Sequence, residues 1–355
     1  MARPVAVVTG ASAGVGRAIV QALVRDGYDV AMLARGAAGL ESAVRDVAAA
    51  GGRGLAIRTD VADWDEMDAA ATRVERELGP IALWVNDAMT TVFGRFWEVE
   101  PKEFRRATEV TYLGQVHGTM AALARMRPRD AGRIVNIGSS LAFVGIPGQS
   151  AYCGAKFACR GFTESVRAEL LAERSRITVS LVHLPAVNTP QFSWCESKLP
   201  NHPQPVPPIY QPEVAAKFVA QAAGDGRRSK VIGAWNKLIV LGAQVAPDVI
   251  AHYAARTGID SQQTAQPVEP GRPSDLWEPV DTDHDVGSHG VFDDRAGGVM
   301  IPAFLRSVPG ALAMLVTSAA AAASERRRAA ARGRAREERD SRRPPWPPAS
   351  DPTRR

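Results

Sequence analysis

Short apolar runs alternate with amphipathic stretches through the first two thirds of the chain. Runs at 5–8, 29–33, 54–58, 81–85, 133–137, 178–184 and 230–232 have the length of buried strands. The stretches between them carry helical spacing, as in Ile19, Val20, Leu23 and Val24. Strand and helix in strict alternation predict a parallel sheet with helices on both faces, an α/β doubly wound fold. No repeat of solenoid type is present. Residues 1–245 are expected to form one main domain.

The pattern changes twice after that. Pro200 to Pro212 holds six prolines, which exclude a regular helix or a central strand there. Residues 246–298 form a polar extension. Its part from 266 onward is rich in Pro, Gly and Asp, and is expected to be a solvated loop. His284, Asp285, His289, Asp293 and Asp294 fall in that stretch, but their spacing matches no metal-ligand pattern. Residues 299–324 are an apolar segment, uncharged from 307 to 323. It is expected to be a weak membrane anchor, an interfacial helix or a helix packed on a partner subunit. The basic tail, 325–355, is expected to be disordered.

Composition narrows the class. The 355 residues are 45% hydrophobic and 23% charged, as in a soluble globular protein. The net charge of +5 belongs to the tail, where 11 arginines face 5 acidic residues. The rest of the chain is nearly neutral, which argues against nucleic acid as a partner. Met1-Ala2-Arg3-Pro4 runs straight into the first strand without a secretory signal. Cys153, Cys159 and Cys195 have no pairing or metal spacing, so reduced thiols in a cytoplasmic setting are expected, with possible membrane association through 299–328.

The first strand ends in Thr9-Gly10-Ala11-Ser12-Ala13-Gly14-Val15-Gly16, and a helix follows. Strand, glycine turn and helix is the context of a dinucleotide-binding turn. Gly10 and Gly14 permit the tight turn and close approach of phosphates. Gly16 permits close helix–strand packing. The N–H groups opening the helix face a pyrophosphate. The second strand ends in Ala34-Arg35, where an NAD-binding site usually carries an acid. A guanidinium there can pair with a 2′-phosphate, so NADP(H) is expected over NAD(H).

Tyr152 and Lys156 are four apart and share a helix face. A nearby ammonium favours the phenolate and is expected to draw the Tyr152 pKa from its usual ~10 toward neutrality. Ser139, thirteen residues before the tyrosine, supplies a hydroxyl for a bound carbonyl oxygen. Together they read as machinery for moving a proton on or off an alcohol oxygen.

The glycine spacing with Ser139, Tyr152 and Lys156 resembles the short-chain dehydrogenase/reductase family over residues 4 to 240. Asp60-Val61, Asn86-Asp87-Ala88 and the segment from Leu184 to Thr189 extend the likeness. The resemblance implies a Rossmann fold, with a nucleotide half at 1–110 and a catalytic half at 111–245. It also implies a Pro-rich lid over the substrate at 190–212. Gly10, Ser12, Ala13, Gly14, Val15 and Gly16 would form the coenzyme turn. Asp60 would bond the adenine amino group beside Val61, and Asn86 and Ala88 would line the adenosine ribose through backbone contacts. Val187 and Thr189 would hold the nicotinamide carboxamide, with Tyr152 and Lys156 at the nicotinamide ribose. The implied reaction interconverts a carbonyl and a secondary alcohol.

Three departures bear on activity. Asp87 and Met89 stand where the family has Asn and Gly, Pro185 takes a usual glycine's place, and Thr111 stands where an Asn carbonyl holds a proton-relay water. The alternative is therefore a nucleotide-binding scaffold with lost or weak catalysis. Phe93, Trp97, Phe143, Trp194 and Trp235 are candidates to border an apolar substrate. The family also implies a homodimer or homotetramer paired through the helices of Thr111 and Tyr152.

Overall fold

The structure, a computed structural model, describes residues 2–225 and 229–297. Its centre is an all-parallel seven-stranded sheet. The strands are β1 (Val5–Thr9), β2 (Asp29–Ala34), β3 (Gly54–Arg58), β4 (Ile81–Asn86), β5 (Arg133–Ser139), β6 (Thr178–Leu184) and β7 (Ser229–Val231). Every strand expected from the apolar runs is present. The spatial order is β3-β2-β1-β4-β5-β6-β7. It reverses between β1 and β4, and a crevice opens there at the carboxyl ends of the strands.

Alternation along β1 sends Ala6 and Val8 to one face and Val5 and Val7 to the other. The first face is covered by α1 (Gly14–Arg25), α2 (Ala37–Ala49) and α7 (Pro212–Asp225), through Ile19, Leu23, Leu40, Val47 and Val219. The second is covered by α3 (Trp64–Glu77), α5 (Gly114–Met126) and α6 (Ser150–Ala172), through Met67, Val74, Met126 and Leu170. Each such aliphatic side chain contributes about 1.5–3 kcal/mol on burial. The helix α4 (Pro101–Thr108) joins α5 through a single π turn, Glu109–Leu113.

Asn86 ties the middle of this assembly. It is wholly buried. Its Nδ2 donates to Asn136 Oδ1 at 2.8 Å and to Thr119 Oγ1 at 3.2 Å, and its Oδ1 accepts from Trp84 Nε1 at 2.7 Å. Asn136 Nδ2 continues the chain to Thr163 Oγ1 at 2.9 Å. Two amides thus link β4, β5, α5 and α6, and each donates to an acceptor.

Beyond β7 the sequence expectation needs correction. A helix α8 (Ala234–Val245) is followed directly by α9 (Pro247–Ser261), so no boundary falls at 245. The stretch after 266 is a loop from 268 to 295 that is largely exposed, but both of its ends are tied to the body. Gln263–Pro267 pairs antiparallel with Asn201–Pro203, and Ala296–Gly297 adds to the patch formed by Ala186–Val187 and Ile209–Tyr210. His289 sits between Glu213 Oε1 at 2.8 Å and Asp293 Oδ1 at 2.7 Å. All described residues belong to one compact unit. The expected apolar segment 299–324, the proposed membrane contact through 328 and the basic tail lie outside the described residues. Among the described residues no helix is long and apolar enough to cross a membrane.

Replacing Asn86 by Ala strands the Trp84 indole N–H in the core and leaves Asn136 Oδ1 only its longer bond from Thr119 Oγ1 at 3.4 Å. Asn86→Ala should therefore lose about 3 kcal/mol in urea unfolding while keeping its far-UV spectrum.

Candidate active site

A cavity of about 610 Å³ runs along the carboxyl ends of β1, β4, β5 and β6. The glycine turn forms one end. Gly10 has φ +68°, and a Cβ there would lie 2.9 Å from Ala88 Cα. At Gly16 a Cβ would fall 2.2 Å from the Gly10 carbonyl oxygen, which accounts for a glycine at that packing contact. Ser12, Ala13, Gly14 and Val15 line the cavity, and so do Val61, Ala88 and Val187. Thr189 lines it too, and its Oγ1 is buried without a hydrogen-bond partner. Such an orphan, on a residue that lines the cleft, fits the amide of a nicotinamide.

Ser139, Tyr152 and Lys156 meet at the other end. Lys156 is 2% exposed, and its Nζ donates to the Ile137 carbonyl at 2.8 Å. The same ammonium lies 5.6 Å from the centre of the Tyr152 ring. Ser139 Oγ accepts the Leu141 N–H at 3.1 Å, which leaves its own proton free to donate into the cavity. The neighbouring Ser140 Oγ is buried without a partner.

Burial pushes the Tyr152 phenol above its ordinary value, outweighing the Ser139 hydrogen bond, and Cys153, Cys159 and Asp87 push the same way. The expected fall toward neutrality is not seen, because desolvation outweighs any help from the adjacent lysine. The phenol is a neutral proton donor in this state. Burial also lowers Lys156, against the pull of Cys159 and Asp87. Asp87, at the end of β4, is pushed up to about 7 by desolvation, with Lys156 and the Gly16 N–H opposing.

Several expected contacts differ. The Asn86 side chain is spent in the core, which leaves only its backbone for the expected ribose contact, and Asp87 and Ala88 line the cleft beside it. Asp60 lines it, but its Oδ2 is paired with Arg106 and its Oδ1 accepts the Ala62 N–H at 3.0 Å. Thr111 is wholly buried in the π turn. Its Oγ1 donates to the Thr90 carbonyl at 2.7 Å, and its own carbonyl accepts from Cys159 Sγ at 3.3 Å. It touches neither cavity nor tyrosine. Arg35 lines the cavity, yet its Nη1 donates to the Trp277 carbonyl at 2.8 Å and its Nη2 to that of Asp275.

The aromatic candidates divide. Phe93, Trp194 and Trp235 line the cavity. Trp97 is 76% exposed, and Phe143 packs on His183 with ring centres 4.7 Å apart. Sequence reasoning missed Ile250 and Tyr253 of α9, and Asp275 and Asp281 from the extension, all of which line the cavity. Pro205 to Pro208 also line it.

A family model for short chain dehydrogenase matches residues 4–198. The chain belongs to the short-chain dehydrogenase family. Among its relatives, the uncharacterized oxidoreductase YxnA of Bacillus subtilis is 29% identical over 80% of this chain and 81% of its own length. The 3-dehydrosphinganine reductase of Danio rerio is 32% identical over 64% and 70%. Among solved structures, actinorhodin polyketide ketoreductase with NADPH is 28% identical, with a TM-score of 0.59 over 65% of this chain and 97% of its own. The alcohol dehydrogenase of Thermococcus sibiricus, complexed with 5-hydroxy-NADP, is 25% identical, with a TM-score of 0.56 over 64% and 94%. As a member of this family the chain is an NAD(P)-dependent oxidoreductase acting on CH–OH groups.

Asp275 shares the behaviour of Asp87: desolvation pushes it up to about 7 against the pull of Arg35 and a Thr90 hydrogen bond. Both carboxyls hold protons in the native state that the unfolded chain has released. Between about pH 4 and 7 the native state binds more protons, so stability falls as pH rises through that window. Asp275→Asn should melt higher than the parent at about pH 8 and not at about pH 4 in thermal unfolding.

Proposed function

We propose that this short-chain dehydrogenase interconverts an apolar ketone and its secondary alcohol with NADP(H), by way of Ser139, Tyr152 and Lys156. The observation that carries the proposal is the meeting of these three side chains at one end of a cleft whose other end is the glycine turn. The orphaned Thr189 hydroxyl between them supports a nicotinamide at that point. When bound, the coenzyme supplies or accepts the hydride.

The residues of the chain handle the proton. Ser139 donates a hydrogen bond to the substrate oxygen, where negative charge grows during reduction. Tyr152, neutral in its buried setting, gives its proton to that oxygen and recovers it in the reverse direction. Lys156, anchored on Ile137, holds a positive charge beneath the ring and stabilises the negative charge that builds on the phenol as its proton leaves. Thr111 acts as a positioning residue, since it buttresses Thr90 and Cys159 and does not face the substrate.

Arg35 at the end of β2 supports NADP(H), and both solved relatives carry an NADP form in their names. The substrate end is walled by Phe93, Phe192, Trp235, Ile239, Ile250 and Tyr253. Such a wall suits an apolar, lipid-like ketone, and a relative named for 3-dehydrosphinganine supports that class. A homodimer or homotetramer belongs to the same proposal. Met120 on α5 and Phe157 on α6 are 52% and 45% exposed on the two helices expected to pair.

NADPH consumption with a panel of long-chain ketones tests the proposal. Tyr152→Phe should lower kcat by about 100-fold or more while coenzyme affinity stays within about threefold. Ser139→Ala should lose kcat, whereas Ser140→Ala should keep most of it. Coenzyme binding with no turnover of any ketone or aldehyde, unaltered in Tyr152→Phe, would instead establish the scaffold alternative.

A further inference from the structure

The segment from Pro273 to Gly290 crosses the outer side of the adenosine end of the cleft as a strap. The Gly14 N–H, at the start of α1, donates to the Gly287 carbonyl at 3.0 Å. The Ala38 N–H, in the first turn of α2, donates to the Thr282 carbonyl at 3.3 Å. The Arg35 guanidinium is held by the carbonyls of Asp275 and Trp277. The strap is therefore attached at each group that would otherwise meet phosphate oxygens on that side.

Asp281 lies at its centre. Its side chain lines the cavity, the residue is only 6% exposed, and its Oδ2 is buried without a hydrogen-bond partner. The carboxylate sits hard against the start of α2. A Cβ on Gly36 would fall 1.8 Å from its Oδ1, and one on Gly39 would fall 2.7 Å from its Oδ2. Helix α2 has no side-chain cap and no acidic residue in its first turn. Its positive end is thus met by a carboxylate from 245 residues along the chain. In a dinucleotide fold the end of β2 is where a ribose 2′-hydroxyl meets an acid, or a 2′-phosphate meets an arginine. Here β2 carries the arginine, and the strap carries the acid to the same place.

We propose that Asp281 is the coenzyme-discriminating residue of this chain: its carboxylate stands in the 2′-phosphate subsite, so that NADP(H) must displace it and NAD(H) need not. The proposal rests on the coenzyme reading above and adds a second determinant to Arg35. Two anions cannot share the α2 terminus, and a phosphate must also take Arg35 from the strap carbonyls. A free ribose hydroxyl asks for neither change, and it offers the orphaned Oδ2 a donor. Coenzyme selectivity is then set by two residues of opposite sign. Arg35 draws the 2′-phosphate, and Asp281 resists it.

The test is binding of NADPH and NADH to the full-length chain, by coenzyme fluorescence titration, in parent, Asp281→Asn and Arg35→Ala. Asp281→Asn keeps the shape and removes the charge. It should tighten NADPH by about tenfold while NADH stays level or weakens, and Arg35→Ala should shift the ratio the other way. Amide hydrogen exchange on the parent gives an independent readout. NADPH should raise exchange across 276–283, apart from the Gly287 contact that the pyrophosphate of either coenzyme would release, and NADH should not. A Kd ratio in Asp281→Asn within about twofold of the parent's would overturn the proposal. So would protection of the strap by NADPH. Failure of the parent to bind either coenzyme would overturn the coenzyme reading itself, a result distinct from an unchanged ratio.

Discussion

The buried Lys156 ammonium is the constraint around which the site is organised. A cation removed from water needs a partner, and the Ile137 carbonyl at 2.8 Å is the one it has. That bond fixes the first turns of α6 against the end of β5. Tyr152 lies one turn earlier on the same helix, and Ser139 lies two residues further along the same strand, so both are set by this contact. Asp87, at the end of β4, faces the same ammonium and is held from the other side by the Gly16 N–H. The catalytic end and the coenzyme end of the cleft therefore share one electrostatic seam.

The carboxyl ends of four strands supply the rest. Each contributes a different chemical element: the glycine turn after β1, Asp87 after β4, Ser139 closing β5, and Val187 and Thr189 after β6. The sheet is rigid because its middle is knotted by Asn86 and Asn136. Loops over such a base can vary without moving the strand ends. The C-terminal extension makes use of that freedom, with α9 walling the substrate end and the strap closing over the adenosine end.

Much of this was legible in the chain itself. Seven apolar runs gave seven strands, because a strand buried on both faces has few polar interruptions. Ser139, Tyr152 and Lys156 were legible because helix spacing brings positions four apart to one face. The structural work of the Asn86 side chain was not legible: a polar residue at a strand end looks the same whether it faces a cleft or knots a core. The Tyr152 phenol was misjudged because spacing reveals a neighbouring charge and not the loss of water. Asp275 and Asp281 could not be placed at all. Their partners Arg35 and Gly36 lie some 240 residues away, and the stretch that holds the two acids carries no periodic signal.

A crystal structure with NADPH bound tests the central claim most directly. The account predicts the nicotinamide ring between Thr189 and Tyr152, the pyrophosphate at the Gly14 end of α1, and the adenosine by Asp60 and Gly36. A coenzyme bound in the reverse sense, with its adenine against Tyr152, or bound outside this cleft, would contradict it.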